Sequence, residues 1–346
     1  MRVPSAFRLA ARAVLVLIAG CASDDSPSTS IGSSVDAVPT TVAQAVVLST
    51  TMSSTTSVAA PPIPVRMIEP SARIELLNPD WLASDEQFVY TRLDTSEVVR
   101  LDPATGATLG MTEVGGLLCN GLGAAFGSVW SCLAVGDDPE QVVRIDPATD
   151  KVVATIEIGK ARFQGNLVGG FDRLWVLVGD GSQLVGIDPI TNVVDKPIDL
   201  GVIGYDVAVG TDAVWVISNR DDAVVRVDPV SRAVTDRIDR IAEPVAIDAS
   251  SDVWIGSVGA TVRIDSTSFE VSKLPISVGY SGAIVVDDEN VWIRSVERFV
   301  VRVDATTGEA VEQFDASAGS GGDMIIAFGA LWATAYDDDL LVRQPL

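Results

Sequence analysis

The side chains able to do chemistry in this 346-residue chain are carboxylates, amides, phenols and guanidinium groups, because it contains no histidine. That absence removes Ser-His-Asp and Cys-His catalysis, imidazole base chemistry, and histidine-ligated zinc, copper, haem or iron. Three polar residues share one spacing: Asn166, Asp206 and Asp323 each stand nine positions before a tryptophan, Trp175, Trp215 and Trp332. Asp80, Trp81, Asn120, Arg162, Phe163, Gln164, Tyr205, Glu243 and Tyr280 fall in the same set of connecting segments. These residues differ from unit to unit, as an asymmetric binding site requires, a solvated loop rim without a ligand being the alternative; Asp206, Glu243, Asp323 or Tyr205 would carry the chemistry if a reaction on a small molecule or glycan is catalysed. The acidic runs Asp137-Asp138 and Asp337-Asp338-Asp339 lack the spacing of known calcium loops, so they read as hydrophilic turns. No metal and no cofactor is expected.

These residues are positioned by a repeat. A pentapeptide recurs as Val99-Arg100-Leu101-Asp102-Pro103, Val143-Arg144-Ile145-Asp146-Pro147, Val185-Gly186-Ile187-Asp188-Pro189, Val225-Arg226-Val227-Asp228-Pro229, Val262-Arg263-Ile264-Asp265-Ser266 and Val301-Arg302-Val303-Asp304-Ala305. A worn seventh copy, Leu341-Val342-Arg343-Gln344-Pro345, ends the chain one residue before its last. Trp130, Trp175, Trp215, Trp254, Trp292 and Trp332 keep the same period, with Tyr90 at the matching place in the first unit. A period near forty residues with four short strand-like runs per unit predicts an all-β fold, a seven-bladed β-propeller.

Repetition argues against catalysis by the repeated residues, since an active site needs each group once. The aspartates 102, 146, 188, 228, 265 and 304 are expected to accept backbone N–H groups two and three residues on, making turns. The arginines at 100, 144, 226, 263 and 302 are expected to make ion pairs between blades or contacts to turns, and the tryptophans to pack between blades. The seventh unit has no outer strand after Leu341, whereas Ala72 to Leu77 reads like one placed before the first unit. The ring should therefore close three-plus-one, with residues 71–77 pairing along Leu340 to Arg343. Cys119 and Cys132 sit where antiparallel strands of one blade bring them near each other; a disulfide is expected, two free thiols or a metal site being the alternatives.

The N-terminus is a different object. Arg2, Arg8 and Arg12 precede the apolar run Ala13 to Ala19, the plan of a secretory signal and too short for a spanning helix. It ends Ile18-Ala19-Gly20-Cys21, which resembles the lipobox of bacterial lipoproteins; that resemblance implies lipidation of Cys21 and a signal peptide over 1–21, a plain cleaved signal being the alternative. Residues 22–66, rich in Ser, Thr, Ala and Pro, read as a disordered tether spanning roughly 35 Å, ahead of the propeller over 67–346. Without the three signal arginines, 21 basic residues face 47 acidic ones, a net charge of −26. Such a surface offers no basic patch for nucleic acid.

The strands Val214-Trp215-Val216 and Val224-Val225-Arg226-Val227-Asp228-Pro229, with an outer strand such as Lys151-Val152-Val153-Ala154-Thr155-Ile156, resemble the bacterial YVTN and virginiamycin B lyase-like propellers. The resemblance covers about residues 71–346 and implies architecture more than activity. The lyase of that group uses histidine with carboxylate and magnesium, and no residue here can take the histidine roles. The expectation is a non-enzymatic, monomeric, lipid-anchored propeller of the bacterial envelope, outside the cytoplasm, binding an unknown protein or a small-molecule or glycan ligand through its loop face. The alternative is a carboxylate- or metal-dependent lyase or hydrolase.

Overall fold

The computed structural model describes residues 63–346 apart from 117, 136–137, 162–164 and 288, and leaves the side chains at 70, 118–120, 134–135 and 138–140 undescribed. The signal peptide, Cys21 and nearly all of the tether lie outside the described residues. The rest forms seven sheets of four antiparallel strands, six of them from consecutive chain and the seventh from three C-terminal strands and one N-terminal strand, with a fifth strand added to one of the six. The seven-bladed propeller expected from the repeat is the fold found.

Burial explains why these sequences make strands. Among the second strands of the blades, Val214–Ser218 and Ala330–Ala335 are buried at every position, because neighbouring blades cover both faces. A strand buried on both sides has no polar face and reads as an unbroken apolar run. Outer strands behave differently: Ala233–Asp239 alternates between exposed and half-buried, with one face on the blade surface and the other in water.

The innermost strands matter most for function, since they ring the axis. They are Pro79–Ser84, Leu118–Ala125, Val168–Gly170, Asp206–Val209, Pro244–Ala249, Ala283–Val286 and Met324–Ala327. All begin on one face of the ring, where the outer-to-inner connections arrive. The Asp-Pro turns lie on the opposite face, between third and fourth strands.

In those turns the aspartates act as the sequence suggests. Asp102 Oδ1 accepts the N–H groups of Ala104 and Thr105 at 2.8 Å, and Asp304 Oδ1 those of Thr306 and Thr307 at 2.9 and 2.7 Å. These bonds hold all six carboxyls below the usual aspartate range.

The repeated arginines do more than expected. Register places Arg226 opposite Trp215, Arg263 opposite Trp254, Arg302 opposite Trp292 and Arg343 opposite Trp332. Each guanidinium lies over the indole facing it, between 5.4 and 6.0 Å from its centroid, and Arg144 lies over Trp130 at 5.0 Å. The stacked arginine then reaches sideways: Arg100 pairs with Asp150 of the next blade at 2.8 Å, and Arg144 donates to the Pro189 carbonyl. Arg226 and Arg302 instead pair with Asp212 and Glu312 of their own blades.

Blade three breaks the pattern at Gly186, opposite Trp175. The Arg173 side chain fills the vacated place: a Cβ on Gly186 would lie 3.1 Å from Arg173 Cγ. Arg173 bonds Asp195 at 2.8 Å, and Arg232 of blade four binds the same carboxylate. The cation has moved to another strand without leaving the site.

The ring closes as predicted. Arg73–Glu75 pairs antiparallel with the last strand, Arg73 against Val342, Ile74 against Leu341 and Glu75 against Leu340. Around this seam the Thr334 hydroxyl donates to the Asp80 carbonyl and Arg343 Nε to the Pro103 carbonyl, each at 2.8 Å. One further strand is not announced by the repeat: Val65–Met67 runs parallel along Ala310–Asp315, adding a fifth strand to blade six. Gln313 N–H donates to the Pro64 carbonyl at 2.8 Å, and Arg66 lies over the Phe314 ring.

Register also sets Leu118 opposite Leu133, with a bulge before Leu122 and Ser131, so Cys119 follows directly beside the position of buried Cys132. The Cys119 side chain itself is outside the described ones.

Candidate functional site

Where the inner strands begin, the axis opens into a mouth of about 210 Å³, continuing into a channel of about 390 Å³ between those strands. The position nine residues before each recurring ring residue lines this mouth in six blades: Trp81, Asn166, Asp206, Val245, Ala283 and Asp323. The seventh equivalent is Gly121, which has no side chain to present. Asp80, Tyr205, Tyr280 and Ser281 add further polar groups to the lining. Backbone crowding explains the glycines between them: a Cβ on Gly322 would come within 2.2 Å of the Thr334 carbonyl, and one on Gly282 within 2.3 Å of the Arg294 carbonyl.

All three residues singled out by spacing line the mouth, and two of them, Asn166 and Asp206, are in direct contact. Asp206 Oδ1 accepts the N–H of Asn166 at 2.9 Å and of Val207 at 2.8 Å, tying blades three and four. Its Oδ2 has one long contact, 3.5 Å, to the Asn166 amide. Asp323 does the same work across the seam, accepting Leu82 N–H at 2.8 Å and Met324 N–H at 2.7 Å. These bonds favour the carboxylates, yet burial outweighs them and pushes both groups up to about 7. Asp80 is raised too, by burial, against the pull of Arg92 at 2.8 Å.

Other expected residues stand apart. Glu243 is exposed on the rim, 3.4 Å from the Tyr280 hydroxyl, and does not line the cavity. Tyr280 is 71% exposed at the edge of the mouth. Arg162, Phe163 and Gln164, and the side chain of Asn120, lie outside the described residues. Asp338 is a loop anchor, accepting Gly319 N–H, Ser320 N–H and the Ser320 hydroxyl.

Three charged groups beside the mouth escape a reading of the sequence. Asp248, on the fifth inner strand, accepts Val286 N–H at 2.7 Å and Ala249 N–H at 2.8 Å, and burial raises its carboxyl. Arg92 and Arg294 occupy second strands, where their neighbours are apolar. Their one signal is a lone cation in an otherwise buried run.

Arg294 is fully buried between blades six and seven. It donates to the carbonyls of Thr334 at 2.9 Å and Ser320 at 2.8 Å, and to that of Ser295, while lying 4.3 Å from the Phe299 ring centroid. Burial lowers its guanidinium to about 10, so it stays charged at neutral pH. Arg294→Ala strips these carbonyls of their donor and is expected to cost about 3 to 5 kcal/mol. Arg294→Lys recovers little of it, because an ammonium cannot reproduce the planar fork. Urea unfolding of both variants checks this; a loss under about 1 kcal/mol for the alanine variant contradicts it.

No protein-family model matches the sequence, and no curated protein matches it. Among solved structures, Kuenenia stuttgartiensis hydrazine synthase is similar with a TM-score of 0.66 over 79% of this chain and 97% of that one. At 12% identity the likeness is one of fold alone.

Proposed function

We propose that the protein is a non-enzymatic, monomeric binding module of the bacterial envelope, taking a small-molecule or glycan ligand, or a protein partner, on the loop face around the mouth. The observation that carries this is the asymmetry of the mouth: one equivalent position holds Trp, Asn, Asp, Val, Ala and Asp in different blades, while the packing positions repeat. A ligand that occupies the axis of a near-symmetric ring needs such a break in symmetry to be bound in one orientation. A thermal-shift screen of small polar molecules, glycans and divalent ions tests it. Stabilisation by a ligand and its loss in Trp81→Ala is expected; a mouth indifferent to every compound contradicts it.

A carboxylate-dependent lyase or hydrolase is the second reading, favoured by two mouth carboxyls held near 7, where acid and base forms are both available. Turnover of a stabilising ligand, abolished in Asp206→Asn, would select it.

The membership among YVTN-like propellers and the lipid anchor belong to the same proposal. Cys21→Ala is expected to release the protein from membranes, and unchanged fractionation refutes the anchor. Cys119 and Cys132 are proposed as a disulfide, supported by their adjacent register and worth about 2 to 3 kcal/mol. Equal thiol labelling with and without reductant would refute it.

A further inference from the structure

The side chains around the mouth are unevenly chosen. Asp80, Asp206 and Asp323 supply carboxylates, and Trp81, Tyr205 and Tyr280 supply rings, whereas no lysine or arginine is among the described residues lining it. Among the described residues, the two buried arginines beside this lining are already committed: Arg92 pairs with Asp80, and Arg294 is spent on carbonyls between blades. Asp206 is 5% exposed, and among the described residues its Oδ2 has nothing closer than the 3.5 Å amide contact. A buried carboxylate oxygen with so little compensation, facing a cavity, is a place for positive charge.

We infer that the mouth is a site for a compact organic cation, an alkylammonium group, held by the Asp206 and Asp323 carboxylates and covered by the rings of Trp81, Tyr205 and Tyr280. The inference rests on the loop face being a binding face and names the chemistry it selects. Aromatic faces attract alkylammonium groups, whose charge is spread and weakly hydrated. A bare divalent ion fits less well, since calcium takes six to eight oxygens and no three acidic groups among the described residues converge in a metal-binding arrangement. The mouth of about 210 Å³ has room for a single ammonium head, and the channel of about 390 Å³ beyond it is lined mostly by apolar strand residues. An anion meets only like charge.

The same groups couple binding to the proton. Each carboxyl, raised by burial, holds a proton near neutrality that the cation must displace. The charges facing the pair are Asp80, Arg92 and Asp248 from neighbouring blades, and Arg294 and Asp338 behind Asp323. Affinity for a cation should therefore rise between about pH 6 and 8, while that for a neutral sugar stays level.

Isothermal titration of the full chain with choline, and with glucose and acetate as neutral and anionic probes, tests this. Saturable choline binding is expected, weakened at least tenfold in Asp206→Asn and in Trp81→Ala, with circular dichroism unchanged. Asparagine keeps the acceptor for Asn166 N–H, so blade pairing should survive; Asp323→Asn repeats the test at the second carboxylate. Glucose binding that Trp81→Ala abolishes, without choline binding, overturns the cation and leaves the loop-face reading standing. Binding of no probe, or choline binding equal in all variants, overturns the inference; a wild type that also shows no response in the wider screen sinks both.

Discussion

Deletion of residues 71–77 lowers the melting temperature by about 10 °C or prevents folding. The segment supplies the fourth strand of blade seven, and Ile74 and Leu76 pack into the cluster that contains Trp332, Leu341 and Leu101. Loss of two apolar side chains at about 1.5 to 3 kcal/mol each, with a row of strand pairing, removes about 5 kcal/mol. At about 2 °C per kcal/mol for a body of this size, the shift follows. The seam adds to it, because Leu76 N–H donates to the Asp339 carbonyl and Asn78 N–H to the Asp339 carboxylate, holding the ends of the ring together. Ile74→Asp is a milder version, placing a charge in that cluster, and should give about half the effect. A deletion variant melting with the wild type would mean that the blades hold their ring without this strand.

The second large effect is a stability that falls as pH rises through neutrality. Asp206 and Asp323 have folded values of about 7 against 3.8 for the free side chain. Between about pH 4 and 7 the folded chain keeps protons that the unfolded chain has released, so raising the pH through this window favours unfolding. The two groups together contribute on the order of several kcal/mol, lost progressively as the pH rises from about 4 to 7. The six turn aspartates act in the opposite sense: their values are depressed, so they stabilise the fold above about pH 4 and lose that contribution as the pH falls through the folded value. Stability should peak at about pH 4, where the turn aspartates are ionised and the two mouth carboxyls still hold their protons, and the net charge of −23 pushes the same way by self-repulsion at higher pH. Melting curves at pH 5 and 8 check it: Asp206→Asn should flatten the slope, and a wild type equally stable at both values would contradict the ionisation assigned to the mouth.

The repeat made the ring legible because it works by recurrence. Each blade buries the same rungs, so Val225 and Trp215 have counterparts in every unit, and the missing outer strand is visible as a gap in the count. The mouth was legible for a related reason: nine positions before the ring residue is the same place in space in each blade, so Asn166, Asp206 and Asp323 could be gathered without coordinates. What periodicity cannot show is the single exception. Arg294, Arg92 and Asp248 occur once each in apolar strands, and nothing in a neighbouring unit says which carbonyl or N–H they meet. Arg173 replacing the cation lost at Gly186 is likewise a trade between two strands, visible only once both are paired. The stacking of arginine on tryptophan depends on register between second and third strands, which spacing alone leaves free. Val65–Met67 has no repeat to belong to, and three residues carry too little pattern to announce a strand.

That short strand has a directional consequence. Because Val65–Met67 runs parallel to the outer strand of blade six, both travel from the face of the Asp-Pro turns toward the face of the mouth. Pro64 therefore enters the body from the turn side, beside the outer strand of blade six. Among the described residues, the path of the chain into the body and the entrance to the axis lie on opposite faces of the ring.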